Sequence, residues 1–188
     1  MVAPELRRIP LIGLRFANAG DAALLKRWRE EPAVAEHQPL RPASVAQLRA
    51  ELARQRAEDL YSDRGDKFQW VILADDRPVG WITLVIANWE HGLAEVGYAI
   101  STDFQRRGLM PVALEQLLYD LFFSTTLRRI EARCSIDNRA SQKVLERVGF
   151  EREGLLKEYF ILRGKSVDNY LYAVLRDRFV PRIVESHD

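Results

Sequence analysis

The chain has 188 residues, 47% of them hydrophobic, which suits one domain with a core of its own. Its 28 Lys and Arg against 27 Asp and Glu leave a formal net charge of +1, so nothing in the overall balance argues for direct nucleic-acid binding. A single cysteine, Cys134, excludes an intramolecular disulfide, and the three histidines, His37, His91 and His187, lack ligand spacing. No metal site is therefore expected.

No window approaches the ~18 uninterrupted apolar residues of a membrane span. Met1-Val-Ala-Pro lacks the basic start of a secretory signal, so a cytoplasmic monomer or homodimer without a membrane partner is expected.

In chain order, residues 6–16 mix arginines with Leu and Ile and read as an edge strand, where Pro10 is tolerated. Asp21 is placed to cap a helix over residues 22–31, with Leu24, Leu25 and Trp28 on one face and Pro32 as its stop. After a turn-rich bridge, Ser44 caps a second helix, residues 45–60, whose thin stripe of Leu48, Leu52 and Ala53 opposes a charged, solvated face. Residues 68–74 and 79–87 are β-rich runs joined by a turn at Asp75-Asp-Arg-Pro78, and residues 93–100 add a third strand. Those three strands form an antiparallel meander.

Residues 111–123 are helical, because Leu114, Leu117, Leu118, Leu121 and Phe122 recur on one face and Pro111 suits the first turn. The helix crosses over to a strand, residues 128–136, that is parallel to 93–100 and points Ile130, Ala132, Cys134 and Ile136 inward. Asn138 starts a further helix that ends at Gly149, a natural left-handed C′ residue. Residues 155–162 and 167–175 complete a hairpin about Arg163-Gly-Lys-Ser166. The sum is an α+β fold.

Chemistry gathers around residues 95–118. There Arg106, Arg107 and Gly108 precede a helix N-terminus, whose free amides attract anions and whose glycine admits a phosphate closely; a solvated turn accounts for the same residues equally well. Charge supports the phosphate reading: residues 104–150 carry eight basic and five acidic side chains, whereas residues 1–103 carry 13 and 15.

Gln105-Arg106-Arg107-Gly108-Leu109-Met110 resembles the Q/R-x-x-G-x-G/A acetyl-coenzyme A loop of the GNAT N-acetyltransferase superfamily, with Met110 where most members carry Gly or Ala. Asn138-Arg-Ala-Ser141 and Gly149-Phe-Glu-Arg-Glu-Gly154 resemble the N-x-x-S…GF-x-x-EG signature of its RimJ/RimL-type ribosomal-protein-alanine acetyltransferases. The likeness runs from about Leu6 to Phe179, taking in Trp28…Pro32-Ala-Val34 and Gly164…Asp168…Tyr172. Gly108-Leu-Met is similar to the RimJ branch, and Glu95 before Gly97-Tyr98 to the RimL branch.

The resemblance implies a mixed, mainly antiparallel sheet flanked by helices, with a splayed parallel strand pair forming the acetyl-coenzyme A cleft. It assigns residues 105–110 to the pyrophosphate and main-chain groups of Tyr98, Ala99 and Ile100 to the pantetheine arm. One of those N–H groups would polarise the acetyl carbonyl, a role whose loss costs ~3–4 kcal/mol. Asn138, also explicable as a plain helix cap, would touch the arm, and Ser141 would protonate the departing thiolate.

Glu95, in an apolar run, reads as a general base acting through water or as an ion-pair partner of Arg129 or Arg133. Cys134 reads as a core thiol rather than a nucleophile, and Trp28, Trp81 and Trp89 as core aromatics or acceptor-pocket walls. No histidine is expected near the site.

The function implied is metal-free, direct acetyl transfer from acetyl-coenzyme A to the N-terminal α-amine of a ribosomal or other protein. A small amine such as a polyamine, amino acid or antibiotic is the alternative acceptor, and a non-catalytic acyl-coenzyme A binding module the alternative function. The joint presence of Glu95, Asn138 and Ser141 weighs against the last.

Overall fold

The computed structural model describes residues 10–181, so residues 6–9 of the expected opening strand lie outside the described residues. Seven strands form one sheet in the order β1-β2-β3-β4-β5-β7-β6. They are β1 (Ile12–Phe16), β2 (Lys67–Ala74), β3 (Arg77–Asn88), β4 (Leu93–Ile100), β5 (Arg129–Ser135), β6 (Glu151–Leu162) and β7 (Lys165–Leu175). Every neighbouring pair is antiparallel except β4 and β5. The helices are α1 (Ala22–Arg29), α2 (Pro32–Ala35), α3 (Val45–Leu52), α4 (Ala57–Leu60), α5 (Leu109–Ser124) and α6 (Arg139–Val148).

Alternation along the strands divides the core in two. Val71, Trp81 and Ala99 face α1 to α3, where Leu25, Trp28, Leu48 and Leu52 cover them. Ile82, Leu84, Val96 and Ala132 face α5 and α6, through Leu114, Leu118, Leu121 and Leu145. Trp28 and Trp81 stack in the first layer with ring centroids 6.2 Å apart, and the Trp89 indole donates to the Gly65 carbonyl at 2.7 Å. All three tryptophans therefore pack structurally.

Several boundaries differ from the sequence expectation. Helix α1 ends at Arg29 because Glu31, the residue before Pro32, is driven to extended backbone (ψ 126°), and Pro32 then opens α2. The helix expected over residues 45–60 breaks after Leu52. There the Gln55 carboxamide leaves the helical path to donate to the carbonyls of Ala17 and Gln69 and to accept from the Gln69 amide at 2.8 Å. Both long hairpins close through two-residue turns with positive φ, Asp75-Asp76 (47° and 63°) and Arg163-Gly164 (51° and 77°). Hence β3 begins at Arg77 and β7 at Lys165, each two residues earlier than expected.

Asp21 does not cap α1 through its side chain. Asn18 caps the preceding 3-10 turn, while Asp21 accepts from the Asn18 amide at 2.8 Å and from both terminal nitrogens of Arg15 at 2.8 and 2.7 Å. Arg15 thereby holds the Asp21 carboxyl below its usual range. The stability it adds is complete above the ordinary carboxylate value of ~3.9 and fades as pH falls through the lowered one. Asp21→Asn is expected to cost about 2 kcal/mol at neutral pH, the value of lost charge-assisted bonds, and less in acid. Urea unfolding at pH 7 and pH 3 checks both the size and the trend.

Candidate active site

Register opens the sheet. Strands β4 and β5 pair only from Leu93↔Arg129 to Glu95↔Glu131, so beyond Glu95 the two diverge while β3 still holds β4 through Ile100. In the gap lies a cleft of about 710 Å³, bordered by every residue expected at the site, from Glu95 to Met110 and at Asn138 and Ser141. That volume suits a small-molecule site.

At one end stands the N-terminus of α5. Gly108, its N-cap, has φ +74° and no side-chain cap, so the first amides keep their donors free. Arg106 also takes a positive φ of 61°, which curls the preceding loop toward that helix end. Arg106, Arg107 and Gly108 are exposed, whereas Leu109 and Met110 are buried in the core. Met110, where most members of the family carry a smaller residue, packs into the core cluster. Arg107 donates to the Asp103 carbonyl at 2.7 Å and lies over the Phe104 ring.

Along the open edge of β4, alternate residues turn their main-chain groups toward the gap. Gln38 donates to the Tyr98 carbonyl at 2.6 Å and Gln105 to the Ile100 carbonyl at 3.1 Å. Ala99, expected to share in this edge, turns its carbonyl toward β3 instead, where a Cβ on Gly80 would stand 2.3 Å from that oxygen. Glu31 fastens the start of the loop, accepting from Ser101 Oγ at 2.8 Å and from the Thr102 amide at 2.6 Å.

Across the gap, α6 starts with Asn138 accepting from the Ser141 amide at 3.0 Å, the cap that the spacing predicts. Ser141 Oγ lies 2.9 Å from the Tyr98 hydroxyl. Burial pushes the Tyr98 hydroxyl well above the ordinary tyrosine value, so it stays protonated. Nothing local in the chain signals this pair, since its members are 43 residues apart. Cys134 is buried beside them, with its sulfur 3.4 Å from the Ser135 carbonyl oxygen, and burial pushes its thiol up as well. That is the environment of an inert core thiol.

Glu95 is less buried than its apolar surroundings imply, with a side chain 38% exposed. It pairs with Arg133, one of its two expected partners. Arg129 instead pairs with Glu131 at 2.8 Å and Glu153 at 2.6 Å. The expectation that no histidine lies near the site is corrected by His37, which the connector after α2 brings to the cleft wall with Glu36 and Gln38. Phe160 and Asn169 of the last hairpin reach the same cleft and were also missed. Asn169 alone carried a hint, as a polar residue at an inward position. Among the described residues no cluster of metal-ligating side chains exists, and no helix is long and apolar enough to cross a membrane.

Known proteins share these features. The acetyltransferase (GNAT) domain family matches residues 12–151. An uncharacterized N-acetyltransferase, p20, of Bacillus licheniformis is 28% identical over 168 residues, 88% of this chain and 93% of that protein. The ribosomal-protein-serine acetyltransferase of Escherichia coli is 32% identical over 114 residues, 61% of this chain and 64% of that one. The structure of Mycobacterium smegmatis RimJ in complex with CoA-disulfide superposes with a TM-score of 0.76 at 26% identity, covering 95% of this chain and 86% of that one. With a family match over most of its length and the splayed sheet that goes with it, the chain belongs to the GNAT acetyltransferases, enzymes that transfer an acetyl group from acetyl-coenzyme A to an amine.

Proposed function

We propose that this enzyme acetylates the α-amine of a protein N-terminus that begins with Ala or another small residue, as in ribosomal proteins. The observation that carries the acceptor class is the sparse negative charge of the cleft. Among the described residues that line it only Glu36 and Glu95 are acidic, and Glu95 is already paired with Arg133. Such a site suits one ammonium group rather than a polycation. The likeness to the ribosomal-protein-serine enzyme supports the same reading.

The residues fit acetyl-coenzyme A, which supplies the activated acyl group. The uncapped N-terminus of α5, with Arg106 and Arg107 beside it, would hold the pyrophosphate, and Gly108 leaves room for it, since a Cβ there would meet nothing within 4 Å. The N–H groups of Tyr98 and Ile100 along the β4 edge and the side-chain nitrogen of Asn138 would hold the pantetheine arm. Gly97, equally open, leaves space for the acceptor.

Glu95, through water, would take the proton that the amine loses as its nitrogen bonds to the acyl carbon. As the carbon–sulfur bond breaks, Ser141 would give the sulfur a proton and regain one from solvent, while Tyr98, protonated throughout, would orient the Ser141 hydroxyl across their 2.9 Å contact. A carboxylate is in general a weak base, so the amine itself matters. An α-amine at ~7.7–8.0 is substantially neutral near pH ~7.5, while a lysine at ~10.4 carries a handicap of about 3.5 kcal/mol.

Mass spectrometry of Ala-initiated peptides with free and blocked N-termini, alongside lysine-containing peptides and spermidine, tests the reading. Acetylation of the free N-terminus alone is expected. Modification only of polyamines, or only of lysine side chains, would reject the acceptor assignment.

A further inference from the structure

Two residues that line the cleft each hold one buried side-chain atom without a partner among the described residues: Nε of Arg133 on β5 and Oδ1 of Asn169 on β7. Asn169 pairs in register with Ser135 and Arg133 with Leu171, so the two side chains are diagonal neighbours roughly 7–8 Å apart. By strand alternation they share the sheet face of Glu95 and Gly97, on the acceptor side of β4. Asn169 is only 4% exposed, and a buried acceptor without a donor keeps its full desolvation penalty. The fold alone gives no reason for an amide there.

One unsatisfied donor beside one unsatisfied acceptor is the complement of a peptide, which offers one C=O and one N–H per residue. A polyamine offers donors alone and would meet Arg133 as a like charge. We infer that Arg133 and Asn169 read the backbone of the acceptor's first two residues. Arg133 Nε–H donates to the first carbonyl and Asn169 Oδ1 accepts from the second amide. This rests on the peptide reading above and gives it specific residues. The remaining Arg133 nitrogens are held by Glu95 and Glu131, which fixes the fork. Its cover, Tyr159, is a partly exposed ring on the bulged stretch of β6, with the guanidinium carbon 5.3 Å from its centroid. The Asn169 carboxamide turns about a broad terminal torsion to present its oxygen.

The test uses Asn169→Leu and a pair of Ala-initiated peptides, one carrying an N-methyl group on its second residue. In the wild type, N-methylation is expected to lower kcat/KM about tenfold, mainly through KM. Asn169→Leu should lose about the same factor with the plain peptide and lose little more on methylation. Its coenzyme A affinity by calorimetry should match the wild type, and its melting temperature should hold or rise, because an orphaned amide has been replaced by an apolar group. A wild type indifferent to N-methylation would overturn the inference. So would a variant whose melting temperature or coenzyme A affinity falls with its activity, which marks a structural role. Peptide turnover without these effects sinks the backbone reading alone, while turnover of small amines but of no peptide sinks the acceptor assignment beneath it.

Discussion

Gly108→Glu is expected to weaken coenzyme A binding about 100-fold by calorimetry while leaving the fold intact. Two effects combine. A carboxylate about 4 Å from a phosphate is repelled by about 4 kcal/mol per charge at an effective dielectric of 20, and exposure to solvent reduces that by screening. The φ of +74° adds strain of roughly 1–2 kcal/mol for any L side chain, which tends to pull the loop off its path. Gly108→Ala separates the two: its Cβ meets nothing within 4 Å, so only strain remains and a loss under about tenfold is expected. Equal losses in both variants would assign the effect to backbone geometry. Full affinity in Gly108→Glu would take the pyrophosphate away from the α5 N-terminus.

The second large effect concerns protons. Ser141→Ala and Tyr98→Phe are each expected to lower kcat about 100-fold with coenzyme A affinity within a few-fold of wild type, because the hydroxyl pair matters most when charge develops on sulfur. The double variant should be little worse than either single one, since two hydroxyls joined in one hydrogen-bonded chain act as a unit. Glu95→Gln should also lower kcat, with a stability change under about 1 kcal/mol for so exposed an ion pair. Wild-type turnover in all three variants across a full pH range would remove the assigned roles.

Tyr98 adds a pH signature. Its hydroxyl keeps its proton in the folded chain above the ordinary value of ~10, at which the unfolded chain gives its proton up. The stability this adds is therefore complete below pH ~10 and declines as pH rises beyond it. Melting curves from pH 8 to 11 should fall less steeply for Tyr98→Phe than for wild type.

Much of this protein can be read from local chemistry. The strand and helix order, the αL residues Gly108 and Gly149, the Asn138 cap and the parallel β4–β5 pair all follow from signals within a few residues of each other. Those signals work because backbone dihedrals, cap hydrogen bonds and side-chain periodicity are short-range. They also concentrate the residues proposed to bind the pyrophosphate on one loop before one helix.

What the tertiary structure decided was every contact set by register or by a returning connector. With Glu95 opposite Glu131, Arg129 lies one rung behind and Arg133 one rung ahead, and Arg133 meets Glu95 because Glu153 of β6 holds Arg129. The helix over residues 45–60 breaks at Gln55 because the backbone groups of Ala17 and Gln69 wait at the end of the sheet. His37 reaches the cleft because Gln38 ties its connector to Tyr98, 60 residues on. The Tyr98–Ser141 pair and the orphaned atoms of Arg133 and Asn169 arise the same way. No local preference encodes them, since each depends on where two distant strands, or a strand and a helix, come to rest against one shared core.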